Sequence, residues 1–125
     1  MEKHFHHELE LLKQKLLDMA NKVQQMLSDS VDALVNLALS KTDIVNSVEH
    51  DINRQEIDID QHALKLIALH QPAGQDLRLL IIILKINNDL ERIADETVNM
   101  CERVVRLIEN PQLEGGNILP QMEGI

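Results

Sequence analysis

Acidic and amide side chains recur at helical spacing in two stretches of this chain. Glu49, Asn53, Glu56 and Asp60 follow one another at intervals of four, three and four residues. Asn88, Glu91, Asp95 and Glu102 follow at three, four and seven. On an α-helix each set occupies one face. Carboxylate and amide oxygens suit hard divalent cations, or iron and manganese. If the chain folds back about Pro72, residues equidistant from that turn share a height, because both helices rise by about 1.5 Å per residue. Asn53 then stands level with Glu91, Glu49 with Asp95, and Glu56 with Asn88. Asp29, on an earlier helix, could join them by the same argument. Like charges four apart cost a few tenths of a kcal/mol per pair, so two such stripes side by side call for solvent or a cation between them. Two readings stay open from spacing alone. One is a surface metal site, and the other is a solvated acidic face, which a chain of net charge −9 must carry somewhere.

Three long helices are needed to position these stripes. From Phe5 to Ser40, Leu9, Leu12, Leu16, Met19, Val23, Met26, Ser30, Ala33 and Leu37 alternate at three and four, a heptad seam unbroken by Gly or Pro. Ser40-Lys41-Thr42-Asp43 has capping chemistry and reads as the first turn between helices. A second helix is expected from about 43 to His70, with Val45, Val48, Ile52, Ile59, Ala63 and Leu66 inward and Gln55 and His62 interrupting that face. His70-Gln71-Pro72-Ala73-Gly74 stops it. A third helix is expected from about Asp76 to Glu109, with apolar positions at Leu77, Leu80, Ile81, Leu84, Ile93, Val98, Cys101, Val105 and Ile108. Long helices joined by short loops run up, down and up, so the expected fold is all-α: an elongated antiparallel three-helix bundle over residues 1–110. Residues 111–125, with Pro111, Gly115-Gly116 and Pro120, read as a linker-like tail.

Composition narrows the function classes. The chain has 125 residues, 44% of them hydrophobic, enough for one domain with a real core. Aromatics are 1%, so the core is aliphatic, which suits helix-on-helix packing. The acidic balance argues against nucleic acid as a partner. The single cysteine, Cys101, excludes an intramolecular disulfide and fits a reducing compartment; its apolar spacing favours a buried, inert thiol. No secretory signal or membrane-length apolar run is visible, and a cytoplasmic location is expected. His4, His6 and His7 read as solvent-facing residues at a helix start, with a metal cluster as the rarer reading. Asp76 and Arg78 read as fixing the second turn. No Glu is followed three residues later by His, as di-iron bundle enzymes require, and no nucleophile triad, phosphate-cradling loop or CxxC is present. We therefore expect no enzyme.

Several of these segments together resemble the PhoU family. Phe5-His6-His7-Glu8-Leu9-Glu10-Leu11-Leu12-Lys13 is similar to its opening helix. Gln71-Pro72-Ala73-Gly74-Gln75-Asp76-Leu77-Arg78 resembles its Q-P-x-A-x-D-L-R turn, with Gly74 where Ala is usual. Lys85-Ile86-Asn87-Asn88-Asp89-Leu90-Glu91-Arg92-Ile93-Ala94-Asp95 resembles its L-E-R-I-G-D helix, with Ala94 for Gly. The likeness covers residues 1 to about 110, one repeat of a family whose members carry two three-helix bundles.

The resemblance implies a metal site for iron or zinc at [ED]-x-x-x-D motifs. Glu91 and Asp95 match that motif, and Glu49 and Asn53 match it with Asn in place of Asp. It implies a negative regulator of phosphate uptake and of the phosphate-starvation response. Its partners would be the ATPase of a phosphate ABC transporter and a sensor histidine kinase, which would hold it at the membrane only through themselves. Ile118-Leu119-Pro120-Gln121-Met122 looks like the start of a second repeat. The chain is then either the amino-terminal half of a longer protein or a single repeat that forms a homodimer. The rival classes are a metal-free helical interaction module and, further off, a metal-dependent bundle enzyme.

Overall fold

A computed structural model describes residues 2–36 and 39–109. They form three helices: α1 (Glu2–Asn36), α2 (Leu39–His70) and α3 (Gly74–Glu109). At 1.5 Å per residue each is about 50 Å long. Each packs against both others, so the described residues make an all-α three-helix bundle, as the seam pattern requires. Leu37, the tail at 111–125 and the second-repeat resemblance lie outside the described residues.

The α1 seam is the one read from the sequence. Phe5, Leu9, Leu12, Met19, Val23, Met26, Ser30 and Ala33 are all buried, with Leu16 packed beside them. On α2, Val45, Ile52, Ile59, Ala63 and Leu66 are buried and Val48 is half-buried. The α3 seam differs in phase from the expected one. Ile81 and Ile93 are exposed, while Ile83, Asn87, Ala94, Thr97 and Val104 are buried with Leu80 and Cys101. The cause is local: residues 79–84 are all apolar, so hydrophobicity there does not mark a face. Two seam positions further on are polar. Thr97 is accommodated because its hydroxyl donates to the Ile93 carbonyl at 2.7 Å, and Ser30 on α1 likewise donates to Leu27 at 2.8 Å.

The first turn also differs. α1 ends at Asn36 and α2 begins at Leu39, so Ser40 to Asp43 lie inside α2. Small polar residues are favoured at and near a helix start, which makes such a run read equally as a loop. The second turn is as expected. Gln71 has φ 44° and its N–H donates to the Ile67 carbonyl at 3.0 Å, a left-handed cap that satisfies one end carbonyl of α2. Pro72 cannot continue the helix. Gly74, at φ 60°, reverses the chain into α3. Asp76 sits in the first turn of α3, where its charge favours the helix dipole, and lies 3.9 Å from His6.

Candidate functional site

The hairpin α2–α3 sets the register of the acidic stripes. Asn87 Nδ2 donates to the Glu56 carbonyl at 3.0 Å, so the two helices pair within one residue of the register read from the sequence. The stripes meet. Glu91 is pushed above the usual carboxylate range by burial, and then by the charges of Asp95, Glu56 and Glu49. Glu56 is pushed up by burial and by Asp60. Asn53 Nδ2 donates to Glu49 Oε1 at 2.9 Å, so two candidate ligands on α2 already hold one another. Glu91 Oε2 is buried with no hydrogen-bond partner among the described residues. Asp95 and Glu102 lie exposed at the edge of this face.

Asp29 does not join them. It is 6% exposed, accepts a hydrogen bond from Gln25 at 3.2 Å, and its charge acts on Cys101 rather than on Glu91. Cys101 is buried, and burial first and Asp29 second push its thiol up, which leaves it protonated and inert.

Among the described residues, no three His, Cys, Asp or Glu side chains are gathered as a ready-made metal centre. The donors nonetheless have the right chemistry for a cation. Three carboxylates and an amide border one seam, one buried oxygen lacks a partner, and mutual repulsion raises Glu91. The sequence-predicted ligands Glu49, Asn53 and Glu91 share this seam, with Asp95 at its rim.

Sequence reasoning missed a second polar array, between α1 and α2. Lys15 Nζ lies 2.8 Å from Asp58 and donates to His62 Nδ1 at 3.0 Å. A lysine ammonium only donates, so Nδ1 accepts and His62 Nε2–H donates to Glu8 Oε2 at 2.8 Å. That bond holds Glu8 below the usual carboxylate range. One step along, Gln55 donates to Asp18 at 2.8 Å. The two residues that interrupt the apolar face of α2 are therefore its polar links to α1. Phe5 and His70 close the end of this seam, their rings 5.1 Å apart. The side chains border an open groove of about 810 Å³. The partners Glu8, Lys15 and Asp58 carried no sequence signal, because the run Ser40 to Asp43 reads as the α1–α2 turn and so sets the wrong cross-helix levels.

An all-α bundle with an acidic seam between its second and third helices defines the class of small helical-bundle domains. Comparison with known proteins narrows it. The PhoU domain model matches residues 16–104, and the chain belongs to the PhoU family. It is 36% identical over 114 residues to a phosphate-specific transport system accessory protein PhoU homolog of Pseudomonas putida, covering 91% of this chain and 44% of that protein. To the homolog of Aquifex aeolicus it is 36% identical over 107 residues, 86% of this chain and 48% of the relative. To the accessory protein PhoU of Escherichia coli it is 34% identical over 97 residues, 78% of this chain and 40% of the relative. The chain spans about half the length of the curated relatives it matches.

Proposed function

We propose that this chain is a regulatory component of phosphate transport, a negative regulator of phosphate uptake and of the response to phosphate starvation. The observation that carries the reading is membership of the PhoU family, with relatives named as accessory proteins of the phosphate-specific transport system. It acts by protein contact, on the ATPase of the phosphate ABC transporter and on a sensor histidine kinase, as a cytoplasmic homodimer without catalytic chemistry of its own. No described helix is long and apolar enough to cross a membrane.

The acidic face belongs to the same proposal. Glu49, Asn53, Glu91 and Asp95 hold a metal ion, iron or zinc, whose charge offsets the carboxylate repulsion and ties α2 to α3. The unpartnered Glu91 oxygen and the raised Glu91 carboxyl support this. When bound, the ion supplies charge neutralisation and cross-linking.

Disruption of the gene in its own host tests the regulatory reading. Phosphate-starvation genes should then be expressed in phosphate-rich medium, and the intact chain supplied in trans should silence them. Unchanged silencing in the disrupted strain rejects it. Metal content of untagged protein tests the second part, beside a Glu91→Gln, Asp95→Asn double variant. Stoichiometric iron or zinc lost from a still-folded variant supports the site. No metal in either leaves a metal-free interaction module.

A further inference from the structure

The histidines of this chain have different surroundings. His62 has both ring nitrogens committed, Nδ1 to Lys15 and Nε2 to Glu8. His6 faces Asp76 at 3.9 Å. His50 lies on α2 about 30 Å along the helix from His70. His4 and His70 differ from these. Among the described residues no hydrogen bond or ion pair engages either ring, yet the two stand together, their centroids 6.0 Å apart and their planes inclined at 47°. One comes from the first turn of α1 and the other from the last residue of α2, so the pair joins two helices at one end of the bundle. The buried Phe5 ring packs against His70 at 5.1 Å and gives it a wall to rest on. His4 is exposed and free to change rotamer. The sequence groups His4 with His6 and His7; the fold divides that group and sets His4 beside His70 instead.

Two uncommitted imidazoles facing one another from separate helices are a ligand pair. Imidazole nitrogen suits borderline transition ions such as Zn²⁺, Ni²⁺ and Cu²⁺, whereas oxygen donors suit Mg²⁺, Ca²⁺ and Mn²⁺. An ion about 2.0–2.1 Å from each nitrogen lies about 3.2 Å from each ring centre, so rings at two tetrahedral positions have centres about 5 Å apart. The observed 6.0 Å is wider by about 1 Å, a gap that rotation of the exposed His4 closes. Both rings border the open groove between α1 and α2, so water reaches the ion. Glu8, one turn from His4 on the same face of α1, borders it too and places negative charge nearby. No third His, Cys, Asp or Glu is gathered with the pair among the described residues, so two imidazoles and solvent make up the set.

We propose that His4 and His70 clamp one borderline transition-metal ion, of the Zn²⁺, Ni²⁺ or Cu²⁺ class, and so tie the start of α1 to the end of α2. This site differs from the one proposed on the acidic face in seam, in donor atoms and in the ions it favours; Glu91 is about 25 Å along α3 from the turn that follows His70. The test uses the untagged full chain carrying Glu91→Gln and Asp95→Asn, so that the acidic face does not contribute. Zn²⁺ or Ni²⁺ is titrated in, bound metal is counted by equilibrium dialysis, and Tm is followed beside it. His4→Gln, His70→Gln and His50→Gln are then added singly, with helicity checked by circular dichroism. We expect one ion per chain and a rise in Tm of about 10 °C at about a hundredfold excess over Kd. Affinity should fall at least tenfold in His4→Gln and in His70→Gln and stay unchanged in His50→Gln, and Mg²⁺ should not compete. Imidazole resonances read the same ligands without any substitution at a histidine: those of His4 and His70 should shift or broaden with the ion, and those of His50 should not. Absence of binding overturns the proposal, as does binding that survives both His4→Gln and His70→Gln. Loss in His4→Gln with His70 unaffected in both measurements assigns the ion to α1 alone, and also overturns the clamp.

Discussion

Replacing Asn87 by Val should stabilise the bundle, although it removes a hydrogen bond from the core. Asn87 is 1% exposed. Its Nδ2 donates to the Glu56 carbonyl, and its Oδ1 has no partner among the described residues. A typical buried hydrogen bond is worth about 1 kcal/mol net, whereas a buried acceptor left unsatisfied costs about 1–3 kcal/mol. The Glu56 carbonyl lies in the interior of α2 and keeps its helical donor when Asn87 is lost. Val is close to Asn in volume and adds buried apolar area worth about 1–2 kcal/mol. The sum is a gain of about 2 kcal/mol, with cavity and overpacking terms small because the volume changes little. Urea unfolding of the two proteins at neutral pH measures it, as a shift in midpoint at constant slope. Heat should agree, with a rise of about 6–10 °C in Tm. A loss of 1 kcal/mol or more at unchanged slope refutes the reasoning. It would mean that Oδ1 is satisfied by something bound in the core, such as an ordered water.

Three further outcomes follow from the turn and the two polar seams. Gln71→Gly should stabilise by about 0.5–1 kcal/mol in thermal unfolding, because the left-handed conformation costs a side chain about 1–2 kcal/mol and glycine returns part of that as unfolded-state entropy; a loss would show that the Gln71 side chain has a structural partner. Glu8 is lowered in the folded state by its bond from His62, so its stabilisation is present above the unfolded value and is lost as pH falls through the folded one. Glu8→Gln should therefore lower Tm at pH 6, with the difference fading as pH falls below about 4.5; a difference that grows with acid contradicts the assignment. Glu91 is raised, so its protonated form favours the fold: that contribution is complete below the unfolded value of 4.5 and is lost as pH rises through the folded one. In metal-free buffer Glu91→Gln should be more stable than wild type at pH 7 by at least a few tenths of a kcal/mol, with the advantage shrinking as pH falls through the raised folded value and gone below about 4.5; a less stable variant at pH 7 means that the ionised carboxylate has a partner.

The legible parts of this fold are those where hydrophobicity alone sets the phase. The α1 seam is regular because large apolar and small residues alternate with charged ones, so only one face can be buried. On α3 the same logic fails twice. Leu79 to Leu84 are apolar at every position, and Asn87 and Thr97 occupy seam positions where an apolar residue is expected. Ile93 beside Ala94 is the clearest case: the larger side chain is outside and the smaller inside. Burial of Ala94 lets the helices approach closely, and Ile93 is left at the surface. The acidic register was legible because Pro72 fixes the centre of its turn. The array of Glu8, His62, Lys15 and Asp58 is not, because Ser40 to Asp43 read as a turn although they lie inside α2, which shifts every cross-helix level.

These errors share a cause that bears on function. A seam that buries only hydrocarbon could be read from periodicity, yet each of the three seams departs from that rule in its own way. Gln55 and His62 give α2 a defined rotation against α1, since each finds its partner in only one register. Asn87, tied to the Glu56 carbonyl, does the same for α3 against α2 at a cost in stability. Buried polar groups of this kind are a means of fixing one packing among several similar ones, and three helices of similar length and composition have several. The register they fix is what sets Glu91 against Glu49 and Glu56. If that is their role, Asn87→Val should gain stability while losing the uniqueness of the acidic face. In the variant, the upward displacement of the Glu91 carboxyl should diminish as the helices sample other levels; an undiminished displacement in a stabilised variant would leave the polar seam residues without this function.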